Sequence, residues 1–120
     1  MTLSRLIIMS ERKLLQDYRV SVLRALADPV RLEIVEFLRG GERCVCEIIP
    51  ILGRAQSTAS KHLDILHQAG ILDRRTDGKR TLYRIRDPKI FKLLQTLDGF
   101  ILNRLFSITK TVEVLKVSRR

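Results

Sequence analysis

Apolar residues return every three or four positions from residue 12 to residue 27, with Leu14, Leu15, Tyr18, Val22, Leu23 and Leu26 on one side. That period predicts an amphipathic helix. Asp28-Pro29 then predict the start of a second helix. Aspartate accepts the unbonded N–H groups of a first turn, and proline is tolerated where its missing N–H would have had no partner. The second helix is expected from Val30 to Arg39 with Ile34, Val35, Phe37 and Leu38 inward, ended by Gly40-Gly41. A short apolar run from Cys44 to Leu52 predicts a third, which must begin near Cys46 if it is to tolerate Pro50. Gly53-Arg54-Ala55 reads as a tight turn. Gln56 to Ala69 follows as a helix with Ala59, Leu63 and Leu66 on its apolar face and Ser57, Ser60, Lys61 and Asp64 elsewhere, closed by Gly70.

The period then changes. Ile71 to Arg75 and Arg80 to Arg86 read as two strands around Thr76-Asp77-Gly78-Lys79, and Asp-Gly between strand-like runs is a strong hairpin signal. Asp87-Pro88 repeats the aspartate-proline start and opens a last helix carrying Phe91, Leu94, Leu97, Ile101, Leu105 and Ile108, with Phe100, Leu102 and Phe106 alongside. That stripe is broader than one small domain covers, so it asks for a partner surface. There is no linker, internal repeat or low-complexity segment. The expectation is one domain over residues 1–120, mainly α with a small β-hairpin.

The chain has 120 residues, 45% apolar and 30% charged, a globular composition with no run long enough to span a bilayer. Leu6-Ile7-Ile8-Met9 is too short for the apolar region of a secretory signal, so a cytoplasmic protein without a membrane role is expected. Charge changes the picture most: 23 Lys+Arg against 13 Asp+Glu leave +10, with 16 Arg and 7 Lys. Such an excess points to a polyanion, and arginine's planar fork suits phosphate and guanine edges. Aromatics are 5% of the chain and Trp is absent, which leaves little for a base-stacking platform and favours duplex DNA. An enzyme is not indicated, since no phosphate-cradling Gly loop, paired carboxylates or Ser/His/Asp grouping occurs.

Two helices joined by a turn of about four residues, the second polar and followed by a basic hairpin, make a winged helix-turn-helix. The second would enter the major groove with Gln56, Ser57, Thr58, Ser60, Lys61 and His62. Glutamine reads adenine, hydroxyls serve base or phosphate, and Lys61 neutralises a phosphate. Arg74, Arg75, Lys79 and Arg80 gather on the hairpin, where a packed core has no use for them.

Cys44 and Cys46 are the only cysteines, which excludes a disulfide framework. Thiolates are soft donors suited to As(III), Sb(III) or soft divalent metals such as Cd(II) and Pb(II). Two residues apart on a regular helix they would point to nearly opposite sides. Both reach one ion only if Cys44 lies in extended chain before the helix. Two small buried apolar residues, or a thiol redox switch, are the other readings of the pair.

Leu26-Ala27-Asp28-Pro29-Val30-Arg31-Leu32-Glu33-Ile34, then Gln56-Ser57-Thr58-Ala59-Ser60-Lys61-His62-Leu63-Asp64-Ile65-Leu66, Ala69-Gly70-Ile71-Leu72 and Gly78-Lys79-Arg80 to Tyr83 resemble the ArsR/SmtB winged-helix repressors, over about residues 20 to 90. The resemblance implies a homodimer built from the first and last helices that releases operator DNA when an inducer binds. Arg43-Cys44-Val45-Cys46-Glu47 is similar to the metalloid box of the arsenic-sensing members, which implies Cys44 and Cys46 as ligands of the inducer. Ile49 stands where three-thiol sensors carry a third Cys, so a third donor would come from solvent or an added thiol. The family's zinc sites on the last helix need a His, and the only two are His62 and His67. Ala55 replaces a Ser that usually caps the reading helix; Ser57 is expected to cap instead. A family member without a small-molecule inducer is the remaining alternative.

Overall fold

The computed structural model describes residues 2–118. In order the elements are α1 (Leu3–Leu26), α2 (Pro29–Phe37), a 3-10 turn (Leu38–Gly40), β1 (Arg43–Cys44), α3 (Val45–Leu52), α4 (Gln56–Gln68), β2 (Leu72–Asp77), β3 (Arg80–Ile85) and α5 (Lys89–Ser118). The chain divides into two compact units that part between Arg86 and Asp87.

In the first unit the core is built from Ile34, Val35 and Leu38 of α2 and its closing turn, Ile48 of α3, Leu63 and Leu66 of α4 and Leu72 of β2. Ile34, Val35, Leu38, Leu63 and Leu66 are inward positions that the three-and-four spacing picks out, whereas Phe37, expected inward, is only half-buried; all seven core residues are almost wholly removed from water. α1 adds only Ala25 and Leu26 to that core, while Leu14, Leu15, Tyr18 and Leu23 stay more than half exposed. Its apolar stripe therefore is not spent inside this unit. The helix also begins at Leu3 rather than near residue 12, because the run Leu6-Ile7-Ile8-Met9 has no helical period to mark it yet contains no helix breaker.

α2 starts as its sequence predicts. Asp28 Oδ1 accepts from the Val30 and Arg31 N–H groups at 2.9 and 3.1 Å, and Pro29 occupies the first position. α4 ends in a Schellman motif, in which Ile71 N–H reaches Leu66 O and Gly70 N–H reaches His67 O, both at 3.0 Å. Between α3 and α4, Gly53 adopts a left-handed φ of 58°, a conformation that L side chains resist and that makes the sharp turn possible.

The sheet has the order β1-β3-β2, all antiparallel. The β2–β3 turn holds two residues, Gly78 and Lys79, between the paired Asp77 and Arg80. Gly78 has φ 63° while among the described residues no non-glycine residue has positive φ, the pattern of a type II′ hairpin loop with Gly first. The turn is thus one residue further along than Asp-Gly suggests. β1 is an addition that the sequence pattern does not announce, since two residues carry no period. Its register sets Cys44 opposite Leu82, which in turn faces Arg75 on β2.

α3 starts one residue before Cys46, with Cys44 extended ahead of it as expected. The helix begins at Val45, so Pro50 is its sixth residue and removes the N–H that would have met the Cys46 carbonyl. The helix ends at Leu52, which confines the loss to its last turn.

In the second unit Asp87 Oδ1 accepts from Lys89 N–H at 2.9 Å at the head of α5. Thr96, Ser107, Thr109 and Thr111 each turn the hydroxyl back to the carbonyl four residues earlier. Those polar groups are satisfied locally, and Leu97, Phe100, Ile101, Leu105, Phe106 and Ile108 remain exposed.

Candidate nucleic-acid interface and thiol pair

Gln56, Ser57 and Thr58 fill the first turn of α4 and are exposed, as is Lys61. The residue before them, Ala55, is extended and gives no side-chain bond to the first turn. Ser57 does not supply one in its place, because it already lies within the helix rather than ahead of it. The first N–H groups of α4 therefore have no protein side chain to answer them, and a helix N-terminus of this kind attracts phosphate.

His62 is engaged within the fold. Its Nδ1 lies 3.1 Å from Arg31 Nη1 and 4.0 Å from Asp28 Oδ1, and the side chain is 18% exposed. An arginine can only donate, so Nδ1 accepts and the neutral ring carries its proton on Nε2. Arg31 also donates from Nε to Ala25 O at 2.6 Å and from Nη2 to Arg24 O at 3.1 Å. One guanidinium thus ties the end of α1 and the start of α2 to α4. The Arg31 N–H, with the neighbouring Val30 N–H and the Arg31 charge, holds the Asp28 carboxyl below its ordinary range. Arg31 escaped the sequence reading, although its place three residues after a capping Asp and the His in α4 were both visible.

On the hairpin, Arg74 Nη1 donates to Asp64 of α4 at 3.1 Å, which links the hairpin to that helix. Arg75 grips Glu42 with two bonds of 2.9 and 2.7 Å, a fork that keeps the Glu42 carboxyl below its ordinary range. Arg80 lies 3.9 Å from Asp77, and Lys79 makes no ion pair among the described residues. All four are exposed, and pairs of this kind contribute little to stability and yield readily to a phosphate.

Cys44 is extended, with φ −70° and ψ 148°, and it is the N-cap of α3. Its Sγ accepts from Cys46 N–H at 3.1 Å, and Glu47 Oε1 accepts from Cys44 N–H at 3.1 Å. This is a capping box with cysteine in the place that Ser or Thr usually takes. Cys44-x-x-Glu47 was legible as such a box had a thiol been read as a capping group. The geometry brings the two sulfurs together, and they are joined as a disulfide. Cys44 is 2% exposed, whereas Cys46 is exposed. Among the described residues no three His, Cys, Asp or Glu side chains converge on one point.

A cleft of about 910 Å³ opens between α3, α4 and the hairpin. Cys44, Cys46 and Ile49 line one side, Gln56, Ser60 and Asp64 another, and Arg74, Arg75, Lys79 and Arg80 the wall opposite. Eight of the residues singled out from sequence therefore share one space. Ser57, Thr58, Lys61 and His62 are not among its lining.

The sequence pattern of bacterial regulatory proteins of the arsR family matches residues 28–74. An uncharacterized HTH-type transcriptional regulator of Methanocaldococcus jannaschii is 38% identical over 78 residues, which is 64% of this chain and 88% of that protein. An arsenical resistance operon repressor of Staphylococcus xylosus is 31% identical over 78 residues, 65% of this chain and 75% of that one. The chain spans 61–62% of the length of mercury and cadmium resistance regulators that it also matches. Among solved structures, the homodimeric winged helix-turn-helix DNA-binding domain of a possible regulator from Mycobacterium bovis superposes with a TM-score of 0.70. It is 33% identical and covers 78% of this chain and 89% of that domain. These proteins are transcriptional regulators, not enzymes.

Proposed function

Because the chain belongs to the arsR family of bacterial regulatory proteins, we propose that it is a homodimeric repressor. On this reading it binds operator DNA through α4 and the hairpin, and releases it when a thiophilic metalloid of the arsenite or antimonite class joins Cys44 to Cys46. The observation that carries the reading is the thiol pair itself. The two sulfurs meet at the cap of α3, inside the cleft that also holds Gln56, Ser60 and the hairpin cations. An ion bridging the reduced pair takes the Cys44 sulfur into a new bond and so acts on the helix that this sulfur starts. With two protein sulfurs, the third position on As(III) falls to solvent or an added thiol, and affinity depends on that thiol.

A dimer is supported by the apolar faces left open on α1 and α5, whose burial against a second copy contributes several kcal/mol before the costs of association, at about 25 cal/mol per Å². The relative from Mycobacterium bovis is described as homodimeric. No helix among the described residues is long and apolar enough to cross a membrane.

The test is a duplex-DNA titration of reduced protein with arsenite, antimonite, cadmium and diamide, on wild type and on the Cys44→Ser/Cys46→Ser double variant. Wild type is expected to release DNA with arsenite or antimonite, and the double variant to stay bound with nearly the same DNA affinity. Equal release from both proteins overturns the inducer assignment. The same samples, sedimented at micromolar concentration, are expected to run as dimers. A second reading, control by thiol oxidation, is favoured by the disulfide between the two cysteines, and release by diamide alone selects it.

A further inference from the structure

The cleft sets a sulfur pair against a bank of cations, and neither the DNA contact nor a metalloid needs that pairing. We propose that it is a docking site for a small thiol that carries carboxylates, and that such a thiol forms a mixed disulfide with Cys46 in the space that the DNA backbone occupies. The second half of this statement rests on the reading of the cleft as DNA-facing; the first half does not.

Access decides which sulfur is attacked. Thiol–disulfide exchange needs an open approach to one sulfur, and Cys46 is exposed while Cys44 is 2% exposed. The leaving group is equally well defined. Cys44 Sγ receives the Cys46 N–H at 3.1 Å at the start of α3, so a donor is already in place for the sulfur that leaves. The step balances without an external oxidant. The incoming thiolate bonds to Cys46 Sγ, the Cys44–Cys46 bond breaks, and its electron pair stays on Cys44 Sγ as a thiolate.

Charge then selects the attacker. Arg74, Arg75, Lys79 and Arg80 line the cleft with Asp64 as the one carboxylate in the lining. Arg74, Arg75 and Arg80 are paired with Asp64, Glu42 and Asp77 in exposed pairs that an incoming anion can displace, and Lys79 has no ion pair among the described residues. The volume of about 910 Å³ admits a molecule the size of a small peptide. A carboxylate-bearing thiol is drawn in by the same cations that suit phosphate, a neutral one is not, and a cationic one is repelled.

The test uses Cys44→Ser, which keeps an oxygen to cap α3 and leaves one sulfur to read. The variant is treated with three symmetric disulfides: glutathione disulfide (anionic), hydroxyethyl disulfide (neutral) and cystamine (cationic). Each rate at Cys46 is divided by its rate with a short Cys peptide. The expected order is anionic, neutral, cationic, with at least tenfold between the ends, and the spread should narrow in Lys79→Ala/Arg80→Ala and in high salt. Saturating duplex DNA is expected to slow the anionic reaction at least tenfold. Equal normalised rates, or a faster cationic reaction, overturn the docking site. A preserved order with no effect of DNA overturns the exclusion of DNA and leaves the site standing. Arsenite-driven release plays no part in these readouts, so failure of the inducer reading is seen separately.

Discussion

α3 begins with its N–H groups answered from within the chain: the Cys44 sulfur takes the Cys46 N–H and the Glu47 carboxylate takes the Cys44 N–H. α4, which follows after the Gly53 turn, begins on Ala55, whose methyl group accepts nothing. Two adjacent helix starts therefore have opposite chemistry. The closed one is made by a residue whose sulfur can be oxidised or ligated, so its state is tied to the thiol. The open one keeps donors free and presents Gln56, Ser57 and Thr58 beside them, as a phosphate site requires. On the proposed reading of α4 as the DNA-contacting helix, the open start leaves its first N–H groups for a phosphate at some cost to the helix.

The largest expected effect comes from closing the open end. Ala55→Asp supplies an acceptor for the first turn and puts a carboxylate where the phosphate would lie. DNA affinity is expected to fall tenfold or more, about 1.4 kcal/mol, while the melting temperature rises. Ala55→Ser adds the acceptor without the charge, so it should give the stability gain with a smaller loss of affinity. Fluorescence titration beside thermal unfolding reads both. Unchanged affinity in Ala55→Asp would remove the first turn of α4 from the DNA contact.

Opening the closed end is the next largest. Under reducing conditions Cys44→Ala removes the acceptor at the start of α3 and is expected to cost about 1 kcal/mol in urea unfolding, whereas Cys44→Ser costs less. Equal losses would mean that the sulfur fills space and caps nothing.

These two ends were not equally legible in the sequence. The start of α2 was read from Asp28-Pro29 because both residues act locally, within three positions of each other. Ala55 was visible as a missing cap, but the substitute expected from Ser57 fails because a residue inside the helix cannot stand ahead of it. The Cys44–Glu47 box was missed since thiols are seldom counted among capping groups. Distance in sequence hid the rest. Arg75 meets Glu42 across 33 positions and Arg31 meets His62 across 31, and periodicity is silent about such pairs. His62 shows the consequence: its place in the polar face of α4 suggests DNA, and only the packing of α2 against α4 reveals that Arg31 holds its ring. The hairpin cations were found by composition, yet their tethers to Asp64 and Glu42 depend on β1 and on the register of the sheet.

The smallest expected effect uses the start of α2 as the reference for both others, since there the cap is a charged group and acid can switch it. The Arg31 N–H, followed by the Val30 N–H and the nearby Arg31 charge, lowers the Asp28 carboxyl from its ordinary 3.8 in spite of some burial. A carboxyl whose folded value lies below its unfolded one binds more protons when unfolded. It therefore adds stability that is fully present above the unfolded value and is lost as pH falls through the folded one. Wild type should lose a fraction of a kcal/mol more than Asp28→Asn on going from pH 6 into that acid range, because Asn keeps a side-chain acceptor for the first turn but has no proton to take up. Glu36 and Glu42 are lowered in the same sense by Arg39 and Arg75, so they contribute equally to both proteins and drop out of the difference. Urea unfolding at a series of pH values gives that difference directly. Parallel curves for the two proteins would show that the Asp28 charge adds nothing to the cap, and the contrast between α3 and α4 would then be one of hydrogen bonds alone.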